Sequence, residues 1–395
     1  MSQQSLPGAR RLRVMVPMLG RDPEEPHRAA TPLELFYDLV FVVAVAFASE
    51  RLHHGLAEGH VGDAVLNFAM VFFAIWWAWM NFTWFASAYD TDDVVYRVFV
   101  FVTMTGALIL AAGVPLAFDE RRYGVVVLGY VVMRVALVTQ WVRAARHGAE
   151  RRTTATRYAI GVSALQVGWI AAAIWFQDWW LWAWVVLGPL ELLVPVWAEG
   201  ASLTTWHAEH IAERYGLFMI IVLGEAVLAA TVAIQSAATE VGVTGDLVPI
   251  AVGGLLIVFS LWWLYFDRPR DHLLVMTKAV FVWGYVHLVV FASVAAVGSA
   301  LALAIDDASR QVELGTAGVG LAVAVPVALY LFAIWGLHVH VADSPLRKYG
   351  APAAALLALA AAFTEQSVLL VGLILVGYVV LKARARVREG PEIPA

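Results

Sequence analysis

Long apolar runs separated by short polar segments make up most of the chain. A helix needs about 20 consecutive apolar residues to cross the hydrocarbon part of a bilayer. Division of the sequence into runs of roughly that length predicts an all-α polytopic membrane protein with about twelve transmembrane helices. The predicted spans are residues 33–50, 63–86, 95–118, 124–143, 156–176, 179–198, 212–235, 247–266, 275–303, 315–340, 350–362 and 366–383.

The composition supports a membrane protein. Charged residues make up 14% of the 395 residues, whereas soluble proteins carry about 25%. The 17 tryptophans fit the same interpretation, since indole rings favour the membrane interface. The absence of cysteine excludes disulfide and thiolate chemistry. The expected partners are the lipid bilayer and a small molecule or ion, with no nucleic acid, and no cofactor is implied.

The positions of the basic residues predict the orientation of the spans. If the N-terminus is cytosolic, most of the 26 lysines and arginines lie on the cytosolic side. The short eleventh span is needed for this pattern, because without it the basic C-terminus would lie outside. Residues 1–30 and 384–395 are therefore predicted to be basic cytosolic tails.

The order of motifs suggests an internal repeat of two six-helix halves, residues 31–200 and 201–383. Each half would start and end in the cytosol, as parallel repeats do. Three features are paired in order: ELFYDLVFV at Glu34 with ERYGLFMII at Glu213, the aromatic runs WWAWMNF and LWWLYFD, and Arg97 with Lys278 at the starts of the third and ninth spans.

The first span begins with two acids on one helix face, Glu34 and Asp38. Thr31 and Glu34 have the spacing of a capping box, which predicts that Glu34 starts the helix. Asp38 lies one turn deeper, where an ionised acid facing lipid would cost about 2.5–3.5 kcal/mol. We therefore expect Asp38 to face the protein interior and to pair with Arg97, which opens the third span on the same cytosolic side.

Four further ionisable residues lie near the middle of predicted spans: Arg134, Glu191, Glu225 and His287. Such residues are costly in lipid and usually mark a pathway or site, so together with Asp38 they form the candidate transport core. An alternative is one structural pair between Arg134 and either glutamate. Because one arginine cannot neutralise both Glu191 and Glu225, one of the two acids has no arginine partner. Burial can keep that glutamate protonated. We expect this acid to be Glu225, in contact with Arg134 or His287.

Prolines bracket one of these acids. Pro189 and Pro195 flank Glu191 and would free backbone carbonyls around it, as in the broken helices that build sites in transporters.

Two further polar clusters lie at predicted helix starts. His207, His210 and Glu213 share a helix face at the start of the seventh span and could ligate a metal. The favoured interpretation is a solvated face, with Glu213 and Arg214 at the helix start. The acidic segment YDTDD, residues 89–93, is predicted to cap the third span, with Asp93 pairing with Arg97.

Several motifs resemble one known family. PLELFYDLVFV, WWAWMNFTWF, HIAERYGLFMIIVLGEAV, LWWLYFD and YVHLVV together resemble the bacterial low temperature requirement protein A family. The resemblance implies a polytopic protein of the bacterial inner membrane, and it brings no settled biochemical activity. Phe36-Tyr37-Asp38 also resembles the F-S-D signature of endolysosomal and bacterial potassium channels, although a tyrosine replaces the serine.

The sequence therefore favours an ion- or proton-coupled transporter with both termini in the cytosol. Glu191 and Glu225 would exchange protons, Arg134 would hold an anionic group, and His287 would relay protons. A cation channel lined by the first and seventh spans is one alternative. A membrane-embedded enzyme is another, although no nucleotide-binding or zinc-protease motif is present.

Overall fold

The computed structural model is built of α-helices, with no β-strand among the residues that it describes. Those residues are 13–26, 28–240, 242, 245, 247–267, 277–310, 312–339 and 344–389. The helices are α1 (Pro32–Ala57), α2 (Val61–Tyr89), α3 (Val94–Asp119), α4 (Gly124–His147), α5 (Arg152–Trp175), α6 (Trp180–Glu199), α7 (Ala208–Glu240), α8 (Leu247–Phe266), α9 (Thr277–Arg310), α10 (Gly315–His338), α11 (Pro345–Ala361) and α12 (Ser367–Glu389). The predicted all-α class and the predicted number of helices are confirmed.

Eleven helices in the described part of the chain are long and apolar enough to cross a membrane. The exception is α11, which has 17 residues and is about 25 Å long at 1.5 Å per residue. The hydrocarbon core of a bilayer is about 30 Å thick. A multi-pass membrane protein is therefore confirmed, and a crossing by α11 stays a prediction.

The helices form two compact units. Unit 1 comprises Met1–Tyr37, Ala78–Leu110 and Tyr123–Ile211, and unit 2 comprises Asp38–Trp77, Ala111–Arg122 and Ala212–Ala395. Four helices, α1, α2, α3 and α7, contribute residues to both units. The proposed duplication into two six-helix halves stays a prediction.

Unit 1 contains α4, α5 and α6, of which α5 packs against both of the others. Small residues allow α3 and α4 to approach closely, because a Cβ atom on Gly106 would lie 2.7 Å from the carbonyl oxygen of Gly129. The rings of Trp141 and Tyr158 stack between α4 and α5, with centroids 4.1 Å apart. These contacts position the ionisable residues of α4 and α6.

Unit 2 contains the helix pairs α9–α10 and α8–α12. A Cβ atom on Gly372 of α12 would lie 2.7 Å from the carbonyl oxygen of Gly253 in α8, so these helices also need small residues where they meet. The Tyr330 hydroxyl of α10 donates a hydrogen bond of 2.6 Å to the carbonyl oxygen of Leu261 in α8. Helix α9 is the most buried of the candidate spans, with 78% of its apolar window inside the protein.

Two predicted helix starts are confirmed by hydrogen bonds. The backbone N–H of Thr31 donates to Glu34 Oε2 at 2.8 Å, and the N–H of Glu34 donates to the Thr31 hydroxyl at 3.3 Å, which completes a capping box. Asp93 Oδ1 accepts the N–H of Tyr96 at 2.8 Å and so caps α3.

The predicted break beside Glu191 is wrong. Helix α6 runs without interruption from Trp180 to Glu199 through both Pro189 and Pro195. Membrane helices tolerate proline in this way when local adjustments satisfy the freed backbone groups.

Candidate functional site

A fully buried ion pair joins α1 and α7 in unit 2. Arg214 donates from Nε to Asp38 Oδ2 at 2.9 Å and from Nη2 to Asp38 Oδ1 at 2.5 Å. Neither side chain has any exposed surface. A two-point contact of this kind fixes the relative orientation of both groups as well as neutralising them.

The predicted partner of Asp38 was therefore wrong. Arg97, in the first turn of α3, instead makes an exposed two-point contact with Asp92 at 2.8 and 3.0 Å. Asp92 has a positive φ of 48°, which turns the chain there. The cation that contacts Asp38 comes from α7 and not from the start of α3.

A second polar contact between α1 and α7 has the same sequence separation as the first. Asp38 and Arg214 are 176 residues apart, and so are Ser49 and Glu225, whose side chains interact. The two contacts are eleven residues apart on each helix, which is three turns, so both lie on one face of each helix and about 16 Å apart along the axis. Unit 2 thus contains a row of polar groups between two parallel helices.

Glu225 is the acid in this row that has no cationic partner in the part of the chain that the structure describes. The Ser49 hydroxyl lies beside the carboxyl group without reaching full hydrogen-bond geometry, and Oε2 has no hydrogen-bond partner. Only 8% of the residue is exposed. Ser299 donates a hydrogen bond of 2.7 Å to the carbonyl oxygen of Ser49 and adds a third polar side chain. The predicted contact of Glu225 with His287 is wrong, because the side chain beside Glu225 in unit 2 is that of Ser49.

The polar row continues towards the C-terminal end of α1. His53 Nε2 lies 3.0 Å from Asp306 Oδ2 of α9, and both side chains are about four-fifths buried. His53 follows Ser49 by four residues and so lies on the same face of α1. Sequence reasoning missed this pair because each residue lies near the end of its helix, where polar residues are common.

His287 lies fully buried in an aromatic enclosure of unit 2. Its ring is 4.2 Å from that of Trp283 and 4.9 Å from that of Tyr215, with Tyr265 and Phe291 also in contact. Nδ1 lies 2.6 Å from the carbonyl oxygen of Trp283. A carbonyl only accepts, so Nδ1 carries a proton, and Nε2 is the nitrogen that gains or loses one.

Arg134 and Glu191 form a buried ion pair in unit 1. Arg134 Nη2 donates to Glu191 Oε2 at 3.1 Å, and the indole N–H of Trp169 donates to Oε1 at 3.2 Å. The guanidinium also lies 5.0 Å from the ring centroid of Tyr130. Both oxygens of Glu191 therefore accept a hydrogen bond, and α4, α5 and α6 each supply one of the three groups.

The histidines before and within α7 do not form the predicted solvated face. His207 and His210 are buried, in unit 1. His207 caps α7, because its Nδ1 accepts the N–H of His210 at 3.3 Å. His210 Nε2 lies 3.2 Å from Glu34 Oε1. Among the described residues no group of three or more histidines and acids is placed to hold a metal ion.

Three further residues of the predicted motifs are Glu213, Arg214 and Lys278. Glu213 and Arg214 lie in the second turn of α7, which begins at Ala208, and not at the predicted helix start; Glu213 is exposed and Arg214 is buried. Lys278 lies in the first turn of α9, and its side chain lies outside the part of the structure that is described.

The acids between α2 and α3 have opposite electrostatic surroundings. Asp93 pairs with Arg143 rather than Arg97, and Oδ2 accepts the N–H of Val16 at 2.9 Å. Burial opposes ionisation, but the hydrogen bonds from Arg143 and two backbone N–H groups hold the pKa of Asp93 below its ordinary value. The sequence did not identify Arg143 as the partner of Asp93, because it is one of several arginines near the end of α4.

Asp90, in the same connection, differs from Asp93. Burial, and then the nearby charge of Glu34, raise the pKa of Asp90 to about 6.

The helical fold and the buried ionisable groups define a polytopic membrane protein. Residues 29–383 match the family described as bacterial low temperature requirement A protein (LtrA), so the chain belongs to that family, as its motifs predicted. It is also similar to an uncharacterized protein of Rhizobium meliloti (strain 1021), with 28% identity over 308 residues, which cover 73% of this chain and 72% of that protein. The chain is thus a multi-pass bacterial membrane protein.

Proposed function

We propose that this protein is an ion- or proton-coupled transporter of a small substrate, and that Glu225 takes up and releases the coupling proton. The observation that carries the proposal is the environment of Glu225. It is a buried carboxyl group inside a membrane helix, with a serine beside it and one oxygen without a partner.

The other buried acids of the spans differ from Glu225 in having a cationic or basic partner. Asp38 is paired with Arg214, and Glu191 is paired with Arg134. Glu34 lies against His210. An ionised carboxylate inside a bilayer costs about 2.5–3.5 kcal/mol, so for Glu225 the neutral, protonated form is the less costly one. A group that holds a proton in one conformation and loses it in a more hydrated one can couple proton movement to transport.

The polar row of unit 2 gives the proton a path. Asp38 with Arg214, Glu225 with Ser49, and His53 with Asp306 lie at successive levels of α1. The charge pattern of the sequence assigns the Asp38 end to the cytosolic side and the His53 end to the outside. Glu225 lies between the two pairs, as a carrier alternately open to either side would.

His287 and Arg134 receive different roles in this proposal. His287 gains or loses a proton at Nε2 within its aromatic enclosure and serves as a relay in unit 2. Arg134 and Glu191 are a neutralised pair that holds α4 and α6 together in unit 1. Because Arg134 pairs with Glu191, Glu225 is the one of the two glutamates that does not have Arg134 as its partner.

Reconstitution tests this function. Purified protein is placed in liposomes that contain a pH-sensitive dye, and pools of cations and small metabolites are added under an imposed pH gradient. A coupled transporter moves protons only when one of the pools is present, and the rate saturates with its concentration. Proton movement equal to that of protein-free liposomes with every pool would contradict the proposal.

The same experiment separates the channel alternative. A cation channel passes its ion without saturation and without any dependence on the pH gradient. That result would assign α1 and α7 to a pore lining and would remove the need for a proton-carrying acid.

A further inference from the structure

A groove of about 720 Å³ opens between α4 and α5 in unit 1. Its walls are Val138, Val142 and Ala145 on α4, with Ala159 and Ile160 on α5. Ile160 is 56% exposed, so the apolar wall is not covered by other parts of the described chain. The size is within the range of small-molecule sites in proteins.

One end of the groove is positively charged. Arg146 near the end of α4 and Arg152 at the start of α5 both line it, and none of the lining residues is acidic. Thr156 and Ser163 add hydroxyl groups along the α5 side. The lining thus has a cationic end and an apolar body, which is the complement of an anionic amphiphile.

Neither Arg146 nor Arg152 is paired with an acid in the described part of the chain, whereas Arg143 and Arg151 are. Arg143 is paired with Asp93, Arg151 donates to the carbonyl oxygen of Leu203, and Arg157 donates to that of Trp197. Arg152 uses only its Nε, which donates to the carbonyl oxygen of Ala145 at 3.2 Å. In the described part of the chain no group is paired with the Arg146 guanidinium, and both arginines are exposed.

We propose that this groove binds an anionic phospholipid, with the headgroup phosphate between Arg146 and Arg152 and an acyl chain along Val142 and Ile160. The apolar wall favours a lipid over a soluble anion, which would need polar partners around it. The predicted location of the groove also supports a lipid ligand. The connection between α4 and α5 is predicted to lie at the cytosolic surface, where basic pockets between membrane helices bind anionic headgroups.

Native mass spectrometry of the detergent-purified full chain tests the proposal, with dioleoyl phosphatidylglycerol and dioleoyl phosphatidylcholine added at equal concentrations. We expect phosphatidylglycerol to be retained selectively. The double variant Arg146→Gln/Arg152→Gln should weaken that retention roughly 25-fold, since each basic residue near an anionic headgroup contributes about fivefold. Ser163→Trp, which replaces an exposed side chain and narrows the groove, should also weaken it.

The control is Arg121→Gln/Arg122→Gln, which removes the same charge from exposed arginines elsewhere and should retain the lipid as wild type does. Equal retention of the two lipids by wild type would overturn the proposal, and so would retention that the Arg146/Arg152 variant leaves unchanged. Displacement of phosphatidylglycerol by inorganic phosphate at millimolar concentration would show a soluble-anion site and would also overturn it.

Discussion

Asp38 and Arg214 form a two-point ion pair between α1 and α7, with both side chains fully buried. Three contacts between α1 and α7 share a separation of 176 residues, namely Glu34 with His210, Asp38 with Arg214 and Ser49 with Glu225. The Asp38–Arg214 pair sets the register of the two helices. Glu225 lies three turns further along α7, beside Ser49 of α1. The position of the proposed proton-carrying acid therefore depends on this pair.

Loss of one member of the Asp38–Arg214 pair should destabilise the folded protein. Asp38→Asn or Arg214→Gln leaves the other charge buried, and removal of one partner of a buried pair costs about 3–5 kcal/mol. Each single variant should therefore lower membrane accumulation and the midpoint of thermal unfolding. The double variant should recover part of the loss, and fluorescence-detected size-exclusion chromatography measures both effects.

Arg97→Gln is the matched control for this experiment. Its pair with Asp92 is largely exposed, and exposed pairs contribute little, so accumulation should stay near that of wild type. A double variant worse than the sum of its single changes would show that the pair does not position α1 against α7.

The Asp90 carboxyl should make stability depend on pH. The folded protein holds this proton more tightly than the unfolded chain, because the pKa of Asp90 is raised from 3.8 to about 6. Its contribution is thus complete below about pH 4 and is lost as the pH rises to about 6. Asp90→Asn mimics the protonated form and should raise the free energy of unfolding at neutral pH by up to about 3 kcal/mol.

Thermal unfolding of the detergent-purified protein at several pH values checks this prediction. Asp92→Asn, in the same connection but exposed, should keep the pH dependence of wild type. If Asp90→Asn destabilises the protein at neutral pH, the ionised carboxylate is the form that the fold uses.

The Arg134–Glu191 ion pair should be needed for the stability of the folded protein and not for the coupling of proton movement to transport. Arg134→Gln alone leaves Glu191 buried without its cation and should destabilise the protein by about 3–5 kcal/mol. Arg134→Met/Glu191→Leu removes both charges and should restore most of the stability, since apolar replacements of buried pairs are often near neutral. Liposomes that contain this double variant should keep pH-driven flux. A stable double variant without that flux would place the pair in the transport mechanism.

The orientation of the chain is predicted from its basic residues alone. Reporters fused after residue 150 and after residue 385 should be cytosolic, and one fused near residue 240 should be on the outside. Alkaline phosphatase and green fluorescent protein fusions distinguish the two locations. A cytosolic signal near residue 240 would contradict the twelve-span topology and the proposed repeat together.

The sequence was sufficient to predict the helices and the residues that must be buried. Apolar run length predicted twelve helices, and the energetic cost of charge in lipid identified Asp38, Glu191 and Glu225 as interior groups, which are all buried. The capping box at Thr31 and Glu34 was also predictable, because it depends only on residues close together in the chain.

The partners of these groups were less predictable because they come from helices distant in the sequence. Asp38 pairs with Arg214, and Asp93 pairs with Arg143, whereas the sequence analysis predicted Arg97 as the partner of both. Burial of His210 was missed for the same reason, since Glu34 lies 176 residues away from it. Local rules predict helix starts, and tertiary packing decides which charges meet.

The most direct test of the account is the effect of Glu225→Gln on pH-driven flux in liposomes, measured with a solute that moves protons in wild type. The substitution keeps the size of the side chain and removes its proton exchange. Glu50→Gln is the control, because Glu50 follows Ser49 on α1 but its side chain is 48% exposed. We predict that Glu225→Gln folds and accumulates normally but loses the pH dependence of the flux, while Glu50→Gln keeps it. Full pH-coupled flux in Glu225→Gln, or failure of that variant to fold, would contradict the account.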